Sequence, residues 1–175
     1  MSRFATRGVV ALLIFAAAVA AIGGAWIIEA MGYKPCELCL LGRVPYYVGI
    51  ALALATALAA WRGFDGLARV GFAALALVFL AGVGIAAYHA GVEYKFWPGP
   101  KECTGSLTKD LSPEDFLAAL RRVKPVRCDE PALVILGLSL AGWSALISLA
   151  FSALAAFACR SGFGSAMRRD LQPHA

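Results

Sequence analysis

Four uncharged apolar runs leave this 175-residue chain few ways to fold. They are Gly8–Ile28, Val44–Trp61, Val70–Ala90 and Ala132–Ala158, of 21, 18, 21 and 27 residues. A helix that crosses a bilayer needs about 20 apolar residues at about 1.5 Å rise each. The second run is near the short limit, and the fourth must tilt or protrude. Charged residues make up 15% of the chain, against about 25% in a soluble domain. The expected fold is therefore all-α: an integral membrane four-helix bundle forming one domain over residues 1–175. Arg3 and Arg7 precede the first run, and Ala18-Val19-Ala20 imitates a signal-peptidase site. A signal core spans about 7–15 apolar residues, so the longer run reads as a spanning helix.

The net charge of +5 does not point to nucleic acid. The basic residues are scattered among ends and loops, with no Gly-rich phosphate loop and no basic helix face. With four spans, both termini lie on one side. That side holds residues 1–7, the link 62–69 and the tail 159–175, with seven basic residues against Asp65 and Asp170. The other side holds loops 29–43 and 91–131, with nine basic and nine acidic residues. Short basic flanks mark the cytoplasmic side, so both termini are expected there. Cysteines give a second argument. Cys36 and Cys39 fall in the first outer loop, Cys103 and Cys128 in the second, and Cys159 alone on the inner side. Disulfides persist on the oxidising face, which suits two outer pairs and one inner thiol.

"PCELCLLGR" (35–43) carries the chemistry. A Cys-x-x-Cys disulfide closes a small ring, which makes it a poor staple and a good redox switch. Pro35 suits the first position of a helix, which would place the Cys36 thiolate near unpaired backbone N–H groups. Cys39 and Arg43 then follow on the same face. The Arg43 guanidinium would favour a thiolate or bind a carbonyl group at the membrane surface; the plain alternative is an interfacial anchor. Pro45 predicts a kink or restart of the helix near Arg43. Cys-x-x-Cys is also zinc-ligand spacing, but no second Cys-x-x-Cys and no His adjoin Cys103 or Cys128.

Cys103 and Cys128 would close a loop of 26 residues, counting both ends. Such a bond is either a staple, worth on the order of 3–4 kcal/mol, or an exchange partner for the first pair. Between them a short amphipathic helix is expected. Ser112 caps it, Pro113 starts it, and Phe116, Leu117, Leu120 and Val123 share a face. It would lie on the membrane or cover the bundle. "FWPGP" (96–100) reads as an interfacial aromatic anchor and turn. Tyr88 and His89 end the third run as a hydrogen-bonding pair or a ligand contact. Cys159 reads as a small buried hydrophobe.

The ordered set resembles the DsbB family of quinone-dependent thiol oxidoreductases of the bacterial inner membrane. The set is four spans, Cys-x-x-Cys in the first outer loop, Arg four residues later, and a distant Cys pair in the second. "PCELCLLGR", "YHAGVEYKFWPGPKECTG" and "RCDEPALVILGLSLAGW" carry the resemblance across nearly the whole chain. It implies that the outer loops are periplasmic and that a DsbA-like thioredoxin-fold partner attacks the Cys103–Cys128 disulfide at Cys103. Electrons then pass through Cys128 to Cys36 and Cys39. The Cys39 thiolate would face ubiquinone or menaquinone, with Arg43 beside the quinone head and His89 nearby. Gly42 and Pro45 depart from the family pattern around Arg43. DsbA is a strong thiol oxidant at about −120 mV, so its re-oxidation calls for a stronger acceptor, which a lipid-soluble quinone supplies. An outward electron carrier fed by thioredoxin would need cysteines reachable from both sides, and only Cys159 is inside. The remaining alternative is a structural or zinc-binding membrane module with one stapling disulfide.

Overall fold

The structure, a computed structural model, describes residues 2–33, 35–100, 128–131 and 133–160, with side chains from residue 6 onward. Four helices dominate: α1 (Ser2–Ala30), α2 (Glu37–Trp61), α3 (Asp65–Glu93) and α4 (Leu140–Arg160). All four are long and apolar enough to cross a membrane. Large apolar side chains point outward along them, including Leu13, Leu77 and Phe157 at 59%, 68% and 72% exposure. A surface this apolar is costly in water and ordinary in lipid.

Three helix ends share one solution to their unpaired carbonyls. After α2, Phe64 N–H bonds Ala59 O and Gly63 N–H bonds Ala60 O, the paired 6→1 and 5→2 bonds of a Schellman turn. Gly63 takes φ +78 there. The same pair of bonds closes α1 at Gly32 and α3 at Lys95. These ends satisfy the backbone internally, as a membrane boundary demands. The Lys95 turn also sends Trp97 back over α3. Trp97 stacks on Tyr88 with ring centroids 6.0 Å apart and donates its indole N–H to Tyr88 O at 3.0 Å.

Helices pack in chain order, α1 on α2, α2 on α3 and α3 on α4, while α1 and α4 barely meet. The centre is an aromatic cluster of Tyr46, Phe79 and Phe151, in edge-to-face contacts at 4.9–6.4 Å. Polar bonds cross between helices. The Tyr46 hydroxyl lies 3.1 Å from Ser148 Oγ, and Ser152 Oγ donates to Ala76 O at 2.9 Å. At the far end, Arg7 on α1 pairs with Asp65 on α3 at 3.3 Å.

Two expectations need correction. The fourth apolar run is not helical from its start. Val134–Ile135 and Leu138–Ser139 form a two-stranded antiparallel hairpin, β1 and β2, pairing Val134 with Ser139 and Ile135 with Leu138. Its turn residues Leu136 and Gly137 both have positive φ, +53 and +80, as a two-residue hairpin turn requires. Ser139 Oγ then accepts Gly142 N–H at 3.1 Å and caps α4. Apolar character alone cannot distinguish hairpin from helix. Second, α2 runs unbroken through Pro45. Gly82 on α3 lets the Pro45 ring pack closely: a Cβ at Gly82 would lie 3.2 Å from it. The Cys103 loop and the helix expected over residues 112–124 lie outside the described residues.

Gly49 faces Phe79 so closely that an added Cβ would sit 2.5 Å from the ring. Gly49→Ala should lower thermal stability in detergent by about 1–3 kcal/mol, the usual cost of overpacking. An unchanged melting temperature would show that the α2–α3 seam is looser than described.

Candidate active site

The site is built on the first turn of α2. Pro35 was expected to open this helix, but Cys36 is its N-cap and Glu37 its first residue. The Cys36 backbone is extended, φ −79 and ψ 172, and its Sγ accepts the Cys39 N–H at 3.2 Å. A sulfur here does what a serine or aspartate oxygen does at other helix starts. Cys39 follows one turn on. The two Sγ atoms are 2.8 Å apart, and both residues are free thiols.

From α3, His89 brings Nε2 to 3.6 Å from Cys36 Sγ. Its side chain is 8% exposed. One turn further, Glu93 places Oε1 3.7 Å from the same nitrogen, with its side chain 5% exposed. The other carboxylate oxygen, Oε2, is buried with no hydrogen-bond partner among the described residues. The Tyr88–His89 pair is thus split by the helix: Tyr88 turns out to Trp97 and His89 turns in to Cys36.

Cys128 joins this group from the segment that precedes β1. It is 2% exposed, disulfide-bonded, and shares one buried cluster with Cys36, Leu38 and Val92, with Cys39 against it. Cys103 lies outside the described residues. Cys159 is remote: its thiol faces Arg69 O at 3.7 Å.

A cavity of about 340 Å³ opens beside the thiols where α1 and α4 fail to close. Cys36, Cys39, Arg43, Tyr46, His89 and Glu93 line its polar end; Ala21, Gly24 and Ala25 of α1 and Ile147 of α4 form apolar wall. Its size falls in the range of small-molecule sites, about 300–1,000 Å³. Arg43 is mostly buried and donates to Glu29 Oε2 at 2.9 Å. Sequence reading missed Glu29, Tyr46 and Glu93. The four-residue spacing from His89 was a signal for Glu93; nothing local linked Glu29 to Arg43, because that contact joins two helix ends.

The environment of Cys36 lowers its pKa from the ordinary 9.0 to about 4. The largest cause is the hydrogen bond from the Cys39 thiol, opposed by burial and supported by His89 and by the Cys39 N–H. In the reduced pair Cys36 is therefore the thiolate and Cys39 the donor. The same shift couples to stability. The folded state favours the anion, so its contribution is complete above 9.0 and is lost as pH falls through about 4.

A family model described as "Disulfide bond formation protein DsbB" matches residues 7–158 of the chain. No curated protein matches it.

Alkylation of Cys36 in the reduced protein, followed peptide by peptide, should titrate with a midpoint near 4. His89→Phe should raise that midpoint, since it removes a hydrogen-bonding partner of the anion. A wild-type midpoint at the ordinary thiol value would refute this account of the cap.

Proposed function

The chain belongs to the DsbB family, a family of membrane thiol–disulfide oxidoreductases, and on that premise we propose that it re-oxidises a periplasmic DsbA-like partner and delivers the electrons to a membrane quinone. The observation that carries the proposal is the buried cluster uniting Cys128 with Cys36, beside a cavity that also receives Cys39. Cys128, far from Cys36 and Cys39 in sequence, meets them where a thiolate is stabilised. A staple has no need of that meeting.

The exchange steps balance in sulfur and electrons. A partner thiolate attacks Cys103 and forms a mixed disulfide, releasing Cys128 as a thiol. The second partner thiol resolves it, and the partner leaves oxidised. Cys128 then attacks Cys36 of an oxidised Cys36–Cys39 pair, breaking that bond and releasing Cys39 with its electron pair; Cys103 next attacks Cys128, re-forming Cys103–Cys128 and releasing Cys36, so that both electrons rest on the Cys36–Cys39 dithiol. While Cys36 is bonded to Cys128, it no longer competes for negative charge. Cys39, still near the start of α2, then becomes the anionic sulfur at the cavity. Thiolate attack on a disulfide needs no further cofactor.

The cavity fits a quinone head. It is largely apolar, has room for a ring, and sets Arg43, Cys39 and His89 at one end. A bound quinone, ubiquinone or menaquinone, supplies an acceptor for two electrons and two protons. Arg43 would hold a carbonyl oxygen through its guanidinium, for which Glu29 fixes the side chain at 2.9 Å. His89 would keep the sulfur end polar and lend a ring nitrogen to proton transfer. The chain lies in the bacterial inner membrane with both termini in the cytoplasm, which sets the two cysteine loops in the periplasm and the cavity at the membrane face.

The test is quinone reduction by the purified protein on adding a reduced DsbA-like partner. Quinol should form, and Cys39→Ser should abolish it. Full activity in Cys39→Ser would overturn the electron path. Neither quinol nor a mixed disulfide at Cys103 would favour the structural reading. Arg43→Ala should raise the apparent quinone KM by about tenfold or more, as expected when a charged hydrogen bond worth ~1.5–3 kcal/mol is lost. An unchanged KM would remove Arg43 from the head-group site.

A further inference from the structure

The donors around Cys36 converge on a point. Cys36 Sγ, Cys39 Sγ and His89 Nε2 all lie within 4.8 Å of one another. Glu93 Oε1 lies 3.7 Å from the same His89 nitrogen that Cys36 approaches at 3.6 Å. A relay through the imidazole would use its two nitrogens, one toward the thiol and one toward the acid. Here thiol and carboxylate both approach Nε2, and that nitrogen with the two sulfurs gives the arrangement of ligands around a shared centre.

We infer that the reduced Cys36–Cys39 pair and His89, with Glu93 set against the His89 imidazole, form a site for a thiophilic divalent cation of the zinc class. The fit is metric as well as chemical. Zinc bonds of about 2.3 Å to sulfur and 2.0–2.1 Å to nitrogen give a tetrahedral S···N edge of about 3.6 Å. The Cys36–His89 separation matches that edge. The two sulfurs stand 2.8 Å apart and must open by about 1 Å, within reach of side-chain rotation. Thiolate and imidazole select such a metal over calcium or magnesium.

Glu93 is the independent observation. Its side chain is 5% exposed and its Oε2 has no hydrogen-bond partner among the described residues. Its Oε1 lies 3.7 Å from the same imidazole nitrogen that Cys36 approaches at 3.6 Å, while Arg43 is engaged by Glu29. As the Cys39 proton leaves to solvent, two thiolates and the imidazole hold the dication, and Glu93 orients the imidazole from one turn along α3. No electron moves in this step. Once the pair is a disulfide, its sulfurs no longer ligate as thiolates, so the site exists only in the reduced state. The sequence argument against zinc looked for a His beside Cys103 or Cys128, whereas His89 reaches the first pair from across the bundle.

The regulatory consequence rests on the oxidase reading: a metal seated on the dithiol holds back the electron pair and stops turnover until it is removed. The site itself is tested without quinone or partner. Reduced full-length protein, freed of reductant, is titrated with Co²⁺ in detergent. One equivalent should bind with thiolate-to-cobalt charge-transfer absorption, and Zn²⁺ should displace it. Protein with the pair oxidised should show no such band, and neither should Cys39→Ser. Glu93→Gln, which preserves shape, should weaken Co²⁺ binding by about 10–100-fold, the usual span for groups that support a metal centre. A reduced protein without the band, an equal band in the oxidised protein, or unchanged affinity in Glu93→Gln would overturn the site. Zn²⁺ should also halt partner oxidation, with activity restored by chelator. Binding without inhibition would sink the regulatory role alone, and absence of the band in a protein that still turns over would sink the metal site alone.

Discussion

The sulfur of Cys36 holds the outer end of the bundle together. It caps α2 by accepting the Cys39 N–H, meets His89 of α3 through Nε2, and packs against Cys128 from the segment before β1. Each contact has its own cause. The first turn of any helix has N–H groups without partners. His89 is buried and needs a polar neighbour. Cys128 is disulfide-bonded and buried against the same sulfur. One atom makes all of these contacts, and its lowered pKa comes first from the Cys39 thiol, with His89 and the Cys39 N–H adding to it.

The cavity has a different origin. A four-helix ring closes only if its first and last members meet, and here α1 and α4 hardly do. Small residues on the facing stretch of α1, including Gly24 and Ala25, leave a slot, and the hairpin before α4 carries Leu140 and Trp143 to its rim. The Glu29–Arg43 pair spans α1 and α2 beside it. A charge pair at a lipid-facing opening costs desolvation, so its retention fits a polar ligand group better than added stability.

The departures from sequence expectation share a cause. Pro35 and Pro45 were read through backbone rules, which describe a helix in isolation. In the fold, Cys36 takes the cap because its sulfur has partners there. Pro45 stays inside α2 because Gly82 across the seam makes room for its ring. The fourth apolar run was read by composition, and composition cannot reveal that Leu136 and Gly137 turn back with positive φ. His89 and Glu93 lie far along the chain from the motif they complete, on α3 rather than α2, so no local pattern could join them to it.

What the sequence determined by itself was whatever depends on length, period and composition. Four apolar runs prescribe four spanning helices, because lipid leaves the backbone no other partner than itself. A Cys-x-x-Cys at a membrane boundary, an arginine four residues on and a second distant pair prescribe thiol chemistry. Tertiary structure alone decided which atoms meet. The side on which His89 falls, the engagement of Arg43 by Glu29, the burial of Cys128 beside Cys36 and the open seam between α1 and α4 all follow from how the helices pack. Packing is set by the summed shape of many small contacts, a sum that no short stretch of sequence contains.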